Sequence, residues 1–139
     1  PRPAAADGPL LMRDRTEADD IVQGAYNRAL LDLILPPMRR AAEEAGYALT
    51  VHGSLNRDID LVAVPWVEYG VWSKEAPRDA ICGAVRGVTG RCNYISNKEW
   101  AVKPHGRFAS TLMCWCGEST ADLDLSVMPI ISTKENEDA

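Results

Sequence analysis

The hydrophobic and polar positions of the chain change period several times, and the changes mark its elements. After Thr16, apolar residues recur at Ile21, Val22, Ala25, Ala29, Leu30, Leu33 and Ile34, the spacing of one face of a helix. Thr16 is placed to cap it, and Glu17 and Asp19 make an acidic first turn. The residue before a proline avoids the helical region, so this helix is expected to run from Thr16 to Leu35 and to stop at Pro36-Pro37. Pro37 then suits the first turn of a second helix ending near Ala45, with Met38, Ala41, Ala42 and Ala45 on one side and Gly46 at the C-cap. The two are expected to pack on a sheet through Ile21, Ala25, Leu33, Met38 and Ala42. Arg39-Arg40 and Glu43-Glu44 read as a solvated, self-paired face.

From Ala48 the period shortens to two. Ala48 to Val51 reads as a strand, a polar turn follows at Gly53-Ser54, and Asp58 to Val64 alternates as a second strand. Ala76 to Val88 returns to helical spacing, with Ile81, Ala84, Val85 and Val88 inward and Gly87 and Gly90 ending it. Asn93 to Trp100 fits a short strand or an irregular loop equally. Phe108 to Trp115 and Ala121 to Met128 are strands joined by a tight turn at Gly117 to Thr120, hence antiparallel neighbours. The order predicts an α+β domain: a mixed or mostly antiparallel sheet with two or three helices packed on it. Residues 13–132 form that single domain, preceded by a Pro/Ala-rich segment, residues 1–12, expected to be disordered, and followed by an acidic flexible tail, residues 133–139.

The strand opening at Asp58 carries the candidate chemistry. Asp58, Asp60, Val62 and Val64 share one face, and Ile59, Leu61 and Ala63 share the other. Two carboxylates on one face of an apolar strand are costly to leave unpaired. A divalent cation is the natural partner, and Mg²⁺ in particular takes one or two carboxylates plus substrate phosphates. The segment Asp58-Ile-Asp-Leu-Val-Ala-Val-Pro65 is echoed by Asp122-Leu-Asp-Leu-Ser-Val-Met-Pro129. If the two strands lie side by side, Asp124 takes the place of Asp60 and becomes the third acid, while Asp122, nearer the turn, is left to solvent. The plainer alternative is that Asp58 and Asp60 cap backbone amides or pair with Arg57, Arg91 or Lys103 at the sheet rim.

Gly53 allows a positive φ and a close approach by a phosphate, and the Ser54 hydroxyl can donate to that phosphate. An ordinary turn pair is the alternative. Arg57, Lys103, His105 and Arg107 can supply the positive charge a triphosphate demands, or serve singly as surface charges. His52 stands at the rim of this site or is a structural histidine.

Gly53-Ser54, followed by Asp58-Ile59-Asp60 and a further Asp on a later strand, resembles the nucleotidyltransferase superfamily of DNA polymerase β type. The likeness covers Tyr47 to Val64 and Ala121 to Val127. It implies that the Gly-Ser turn supports a triphosphate, that the paired acids bind Mg²⁺ or Mn²⁺, and that a third acid completes the site. It further implies transfer of a nucleoside monophosphate from an NTP to a hydroxyl acceptor. The family usually places a short helix between the Gly-Ser pair and the acids; here only Leu55, Asn56 and Arg57 intervene. The stretch also looks like small uncharacterised proteins encoded by bacteriophages. The alternative function is therefore a catalytically inactive protein of the same fold, phage-encoded, that binds a nucleotide or a host protein.

Charge and composition narrow the partners. The 139-residue chain carries a net charge of −5, the wrong sign for a general duplex-binding surface, so a small nucleotide or a protein partner is expected in preference to duplex nucleic acid. No apolar run approaches the roughly 20 residues of a membrane span, and Pro1 to Pro9 lacks a signal-peptide core, so a cytoplasmic location is expected. Cys82, Cys92, Cys114 and Cys116 then read as reduced thiols. They are small buried residues rather than a zinc set, which would want C-x₂-C-like spacing and recruit His52 or His105. Trp66, Tyr69 and Trp72 form an aromatic loop that either stacks on a base or covers a core edge.

Overall fold

A computed structural model describes residues 14–67, 73–94 and 100–130. The predicted segments 1–12 and 133–139, and Tyr69 and Trp72 of the aromatic loop, lie outside the described residues. Along the chain come α1 (Glu17–Glu44), β1 (Tyr47–His52), β2 (Ile59–Pro65), α2 (Glu75–Thr89), β3 (Arg91–Asn93), β4 (Ala101–Val102), a 3₁₀ turn (Pro104–Gly106), β5 (Phe108–Cys116) and β6 (Ser119–Val127). This is an α+β domain with a mixed six-stranded sheet and two helices, ordered β1-β2-β6-β5-β3, with β4 pairing to β5. Every pairing is antiparallel except β2 with β6, which is parallel.

The alternation read from the sequence is realised in the strands. Ile59, Leu61 and Ala63 on β2, Leu123, Leu125 and Val127 on β6, and Leu112 and Cys114 on β5 are buried against Leu30, Ile34, Met38 and Ala42 of α1 and Ile81 and Val85 of α2. Both helices therefore cover one face of the sheet, and the acid-bearing face is left open. The β5–β6 hairpin turns on Gly117-Glu118, with Gly117 at φ +68°.

The helices depart from expectation. The break at Pro36-Pro37 does not occur, and α1 runs through both prolines, so there are two helices and not three. Pro36 is exposed and Pro37 half-buried, so the carbonyls their rings deprive of partners can be met by water. The opposite face meanwhile stays packed from Ile34 through Met38 to Ala42, and continuous burial outweighs the loss of two helical hydrogen bonds. Replacing Pro36 with Ala should therefore stabilise the domain, by on the order of 2 kcal/mol. A urea melt checks this; a loss of stability would mean that the prolines fix a bend the fold requires. The inward face agrees only in part, Met38 and Ala42 being buried as expected. Ile21 and Leu33 are 64% and 60% exposed, Ala25 is exposed too, and the buried set is Gly24, Asn27, Leu30, Leu31, Ile34, Met38 and Ala42. On α2, Val88 faces out and Gly90 alone makes the left-handed cap, Gly87 lying inside the helix.

The Thr16 cap is present as a capping box: Asp19 N donates to Thr16 Oγ1 at 3.2 Å, and Thr16 N donates to Asp19 Oδ2 at 2.9 Å. All four cysteines are free thiols, three buried and Cys116 exposed. No helix among the described residues is long and apolar enough to cross a membrane.

Candidate functional site

The parallel pairing of β2 with β6 sets Asp60 directly beside Asp124. Antiparallel neighbours extend the row, with His52 of β1 opposite Asp60 and Thr111 of β5 opposite Asp124. Side chains at paired positions point the same way, so His52, Asp60, Asp124 and Thr111 cross the open face in one line. Thr111 Oγ1 donates to Asp124 Oδ1 at 2.9 Å. Asp58, one pleat before Asp60, shares a hydrogen bond with Asp124. Asp122, one pleat before Asp124, completes a group of four carboxylates.

The residues after β4 fold back over this row. Lys103 N donates to Arg107 O at 2.9 Å, closing a basic turn in which His105 adopts φ +68°. The hairpin and the sheet enclose a groove of about 580 Å³, lined among others by His52, Asp60, Lys103, Arg107, Asp122 and Asp124. That volume is within the range of small-molecule sites. Arg107 Nη1 donates to Ser126 Oγ at 2.9 Å, which fixes the guanidinium against the sheet one residue pair along from the acids.

The acids feel one another. Burial, then the hydrogen bond to Asp124 and the charges of Asp124, Asp122 and Asp60, push the Asp58 carboxyl up to about 6. Burial first, and then Asp124, also raises Asp122 above the ordinary carboxylate range. Among the described residues no ion pair engages any of the four, so the rim pairing considered for Asp58 and Asp60 is not what is seen.

The remaining candidates divide. Lys103 and Arg107 reach the groove. His105 is exposed and is not among the groove-lining residues, because the left-handed residue reverses the chain there. Arg57 lies against the start of α1, its Nε 3.4 Å from Asp20 Oδ1. Ser54 Oγ accepts from Asn56 N at 3.2 Å within its own turn. Gly53 has φ +79°, and a Cβ added there would collide with Asp60 Oδ2. Gly53→Ala should accordingly cost about 1–3 kcal/mol and displace the Asp60 carboxylate; chemical denaturation measures the first, and unchanged stability would show that the turn is free to adjust.

Thr111, Ser126 and Asp122 line the groove without having been singled out as site residues. The first two follow from the hairpin alone: with the turn at Gly117-Glu118, counting back from Cys116 paired with Ser119 places Thr111 opposite Asp124 and Ala109 opposite Ser126.

The carboxylates here are hard oxygen donors, which suit Mg²⁺ or Mn²⁺, and the His52 imidazole stands beside them on the same face. Among the described residues no group of three or more His, Cys, Asp or Glu side chains is placed to hold a metal ion. No protein-family model matches the chain, and no curated protein matches it.

Proposed function

We propose that the protein is a metal-dependent nucleotidyltransferase-like protein that moves a nucleoside monophosphate from an NTP to a hydroxyl acceptor. The observation that carries this reading is the pair Asp60 and Asp124 on adjacent parallel strands, engaged by no ion pair among the described residues and facing a groove that Lys103 and Arg107 also line, with Asp58 outside the groove lining but in contact with Asp124. Negative charge with no cation partner, opposite positive charge with room between them, suits a polyphosphate held with divalent ions. A nucleotidyltransferase-like fold accords with the mixed sheet, its helices on one face and the acids on the other.

In this reading Asp58 and Asp60 would hold the divalent ions and Asp124 would complete the set. Bound metal would neutralise charge on the transferring phosphoryl group. Lys103 and Arg107 receive the triphosphate, and Gly53 keeps the Asp60 side of the site open to it. The acceptor oxygen bonds to the α-phosphorus, the bond to the bridging oxygen breaks, pyrophosphate leaves, and Asp124 takes the acceptor's proton. Arg57 and His105, outside the groove, have no part.

The test is incubation with each α-labelled NTP and Mg²⁺ or Mn²⁺, with and without candidate acceptors. Label transfer with pyrophosphate release, lost in Asp124→Asn, is the expected result. The three-residue turn from Gly53-Ser54 to the acid pair favours a second reading, a non-catalytic protein of the same fold that binds a nucleotide or a protein. Binding of an NTP without transfer to any acceptor would select it.

A further inference from the structure

The turn between β1 and β2 is fastened to α1 by contacts that hydrophobic periodicity does not explain. Asn27 is fully buried among Leu30, Leu31, Ile34 and Met38 on the inner face of the helix. Its amide nitrogen donates to Leu55 O at 2.8 Å and to Arg57 O at 3.3 Å, and its Oδ1 accepts from Gln23 Nε2 at 2.8 Å. Both hydrogens and the carbonyl of the amide are thus used. One residue on, Arg28 Nη2 donates to Ser54 O at 3.0 Å. One turn back, Gly24 lets the helix come close: a Cβ there would lie 2.8 Å from Asn56 Oδ1 and 3.4 Å from Asn56 Cα. Leu55, held between these contacts, has φ +66°, a left-handed conformation that a branched side chain adopts only when its surroundings impose it.

The turn has little freedom of its own and much to align. Four residues carry the chain from Gly53, whose backbone abuts the Asp60 carboxylate, to Asp58, whose carboxyl meets Asp124. Burying Asn27 makes sense only if its partners are worth holding, since an unpaired amide in that core would be strongly unfavourable. We propose that Asn27 is a positioning residue for the site. By gripping the Leu55 and Arg57 carbonyls it sets the spacing of Gly53 and the Asp58/Asp60 carboxylates for one metal–nucleotide ligand. This role rests on the nucleotidyl-transfer reading above. It gives the buried face of α1 the task of ordering a turn too short to contain a helix of its own.

The test follows binding of Mn²⁺ in the presence of each NTP, read from the loss of the free-ion EPR signal, at a temperature where circular dichroism shows every variant folded. Asn27→Leu keeps the side-chain volume and leaves both carbonyls unpaired. It should weaken Mn²⁺–NTP binding by about tenfold or more and speed amide hydrogen exchange at Leu55 to Asp58. Val85→Ala removes comparable buried packing from α2 and should leave the affinity at the wild-type value. Should Asn27→Leu not fold, Asn27→Ser decides: it stays polar, but its shorter side chain cannot hold both the Leu55 and Arg57 carbonyls, so it should weaken binding likewise. Wild-type affinity in folded Asn27→Leu, or in Asn27→Ser where that variant decides, overturns the proposal, as does an equal loss in Val85→Ala. A wild type that binds no Mn²⁺ with any NTP overturns the functional reading and the positioning role with it, whereas binding that ignores these variants overturns the positioning role alone.

Discussion

Mg²⁺ or Mn²⁺ is expected to raise the melting temperature of the wild-type protein, and Asp60→Asn to lose most of that response. Asp60 stands beside Asp124 on the parallel strand, and Asp58 is bonded to Asp124. With no cation the group repels itself, which disfavours the folded state. A divalent ion that binds only the native protein stabilises it by about 2.7 kcal/mol at a hundredfold excess over Kd, about 10 °C for a domain of this size. Asp60→Asn removes one ligand and one repelling charge together. Its metal response should shrink while its stability in EDTA is at least that of the wild type. A structural role predicts the reverse: Asp60→Asn would melt lower in EDTA, and metal would do nothing to either protein. Thermal melts of both, with EDTA and with millimolar metal, separate the two. In the labelled-NTP assay the same substitution should cost turnover far more than it costs fold.

The sheet was legible because its signal is local. Period-two alternation put Ile59, Leu61, Ala63, Leu123, Leu125 and Val127 inward, and all are buried. The shared apolar faces implied that the two Asp-x-Asp strands are neighbours, and β2 pairs with β6 in the register that sets Asp60 against Asp124. The capped start of the helix and its burial at Met38 and Ala42 were legible, but the rest of its inward face was not, for the reason that makes Asn27 interesting. A count of apolar positions discards Gly24 and Asn27, yet both are buried because they serve the turn. Ile21, Val22 and Leu33 are apolar and exposed, so they pulled the reading to the wrong face. The prolines misled because a local rule about Pro takes no account of a face that stays packed on either side of it.

The cations show where residue type stops being informative. Lys103, His105 and Arg107 lie within five residues, but which of them faces the groove depends on two consecutive left-handed residues, His105 and Gly106. Arg57 adjoins the acid pair in sequence and is turned away from it, toward Asp20. The sequence carries the charge of the site, while turn geometry decides which charges meet.

Asp58 makes the same crowding visible through pH. Its carboxyl is raised from 3.8 to about 6 in the folded state. Between those values the native protein holds a proton that the unfolded chain has released. Stability falls with rising pH wherever the native state binds more protons, so Asp58 contributes a penalty absent near pH 4, growing through the window and complete above about pH 6. Asp58→Asn removes it. In EDTA the variant should be more stable than wild type near neutrality, by on the order of 1 kcal/mol after discounting for partial solvent exposure, and the two should converge near pH 4. Taking the difference between the proteins cancels the titration of groups they share. Urea melts across this range measure it. A difference that is constant with pH, or that widens toward acid, would show that Asp58 is not crowded by Asp124 and its neighbours. With metal present the sign near neutrality should invert, because the wild type gains a ligand that the variant cannot hold. Below about pH 6 the wild type should lose that advantage too, as protons compete with metal for the carboxylates.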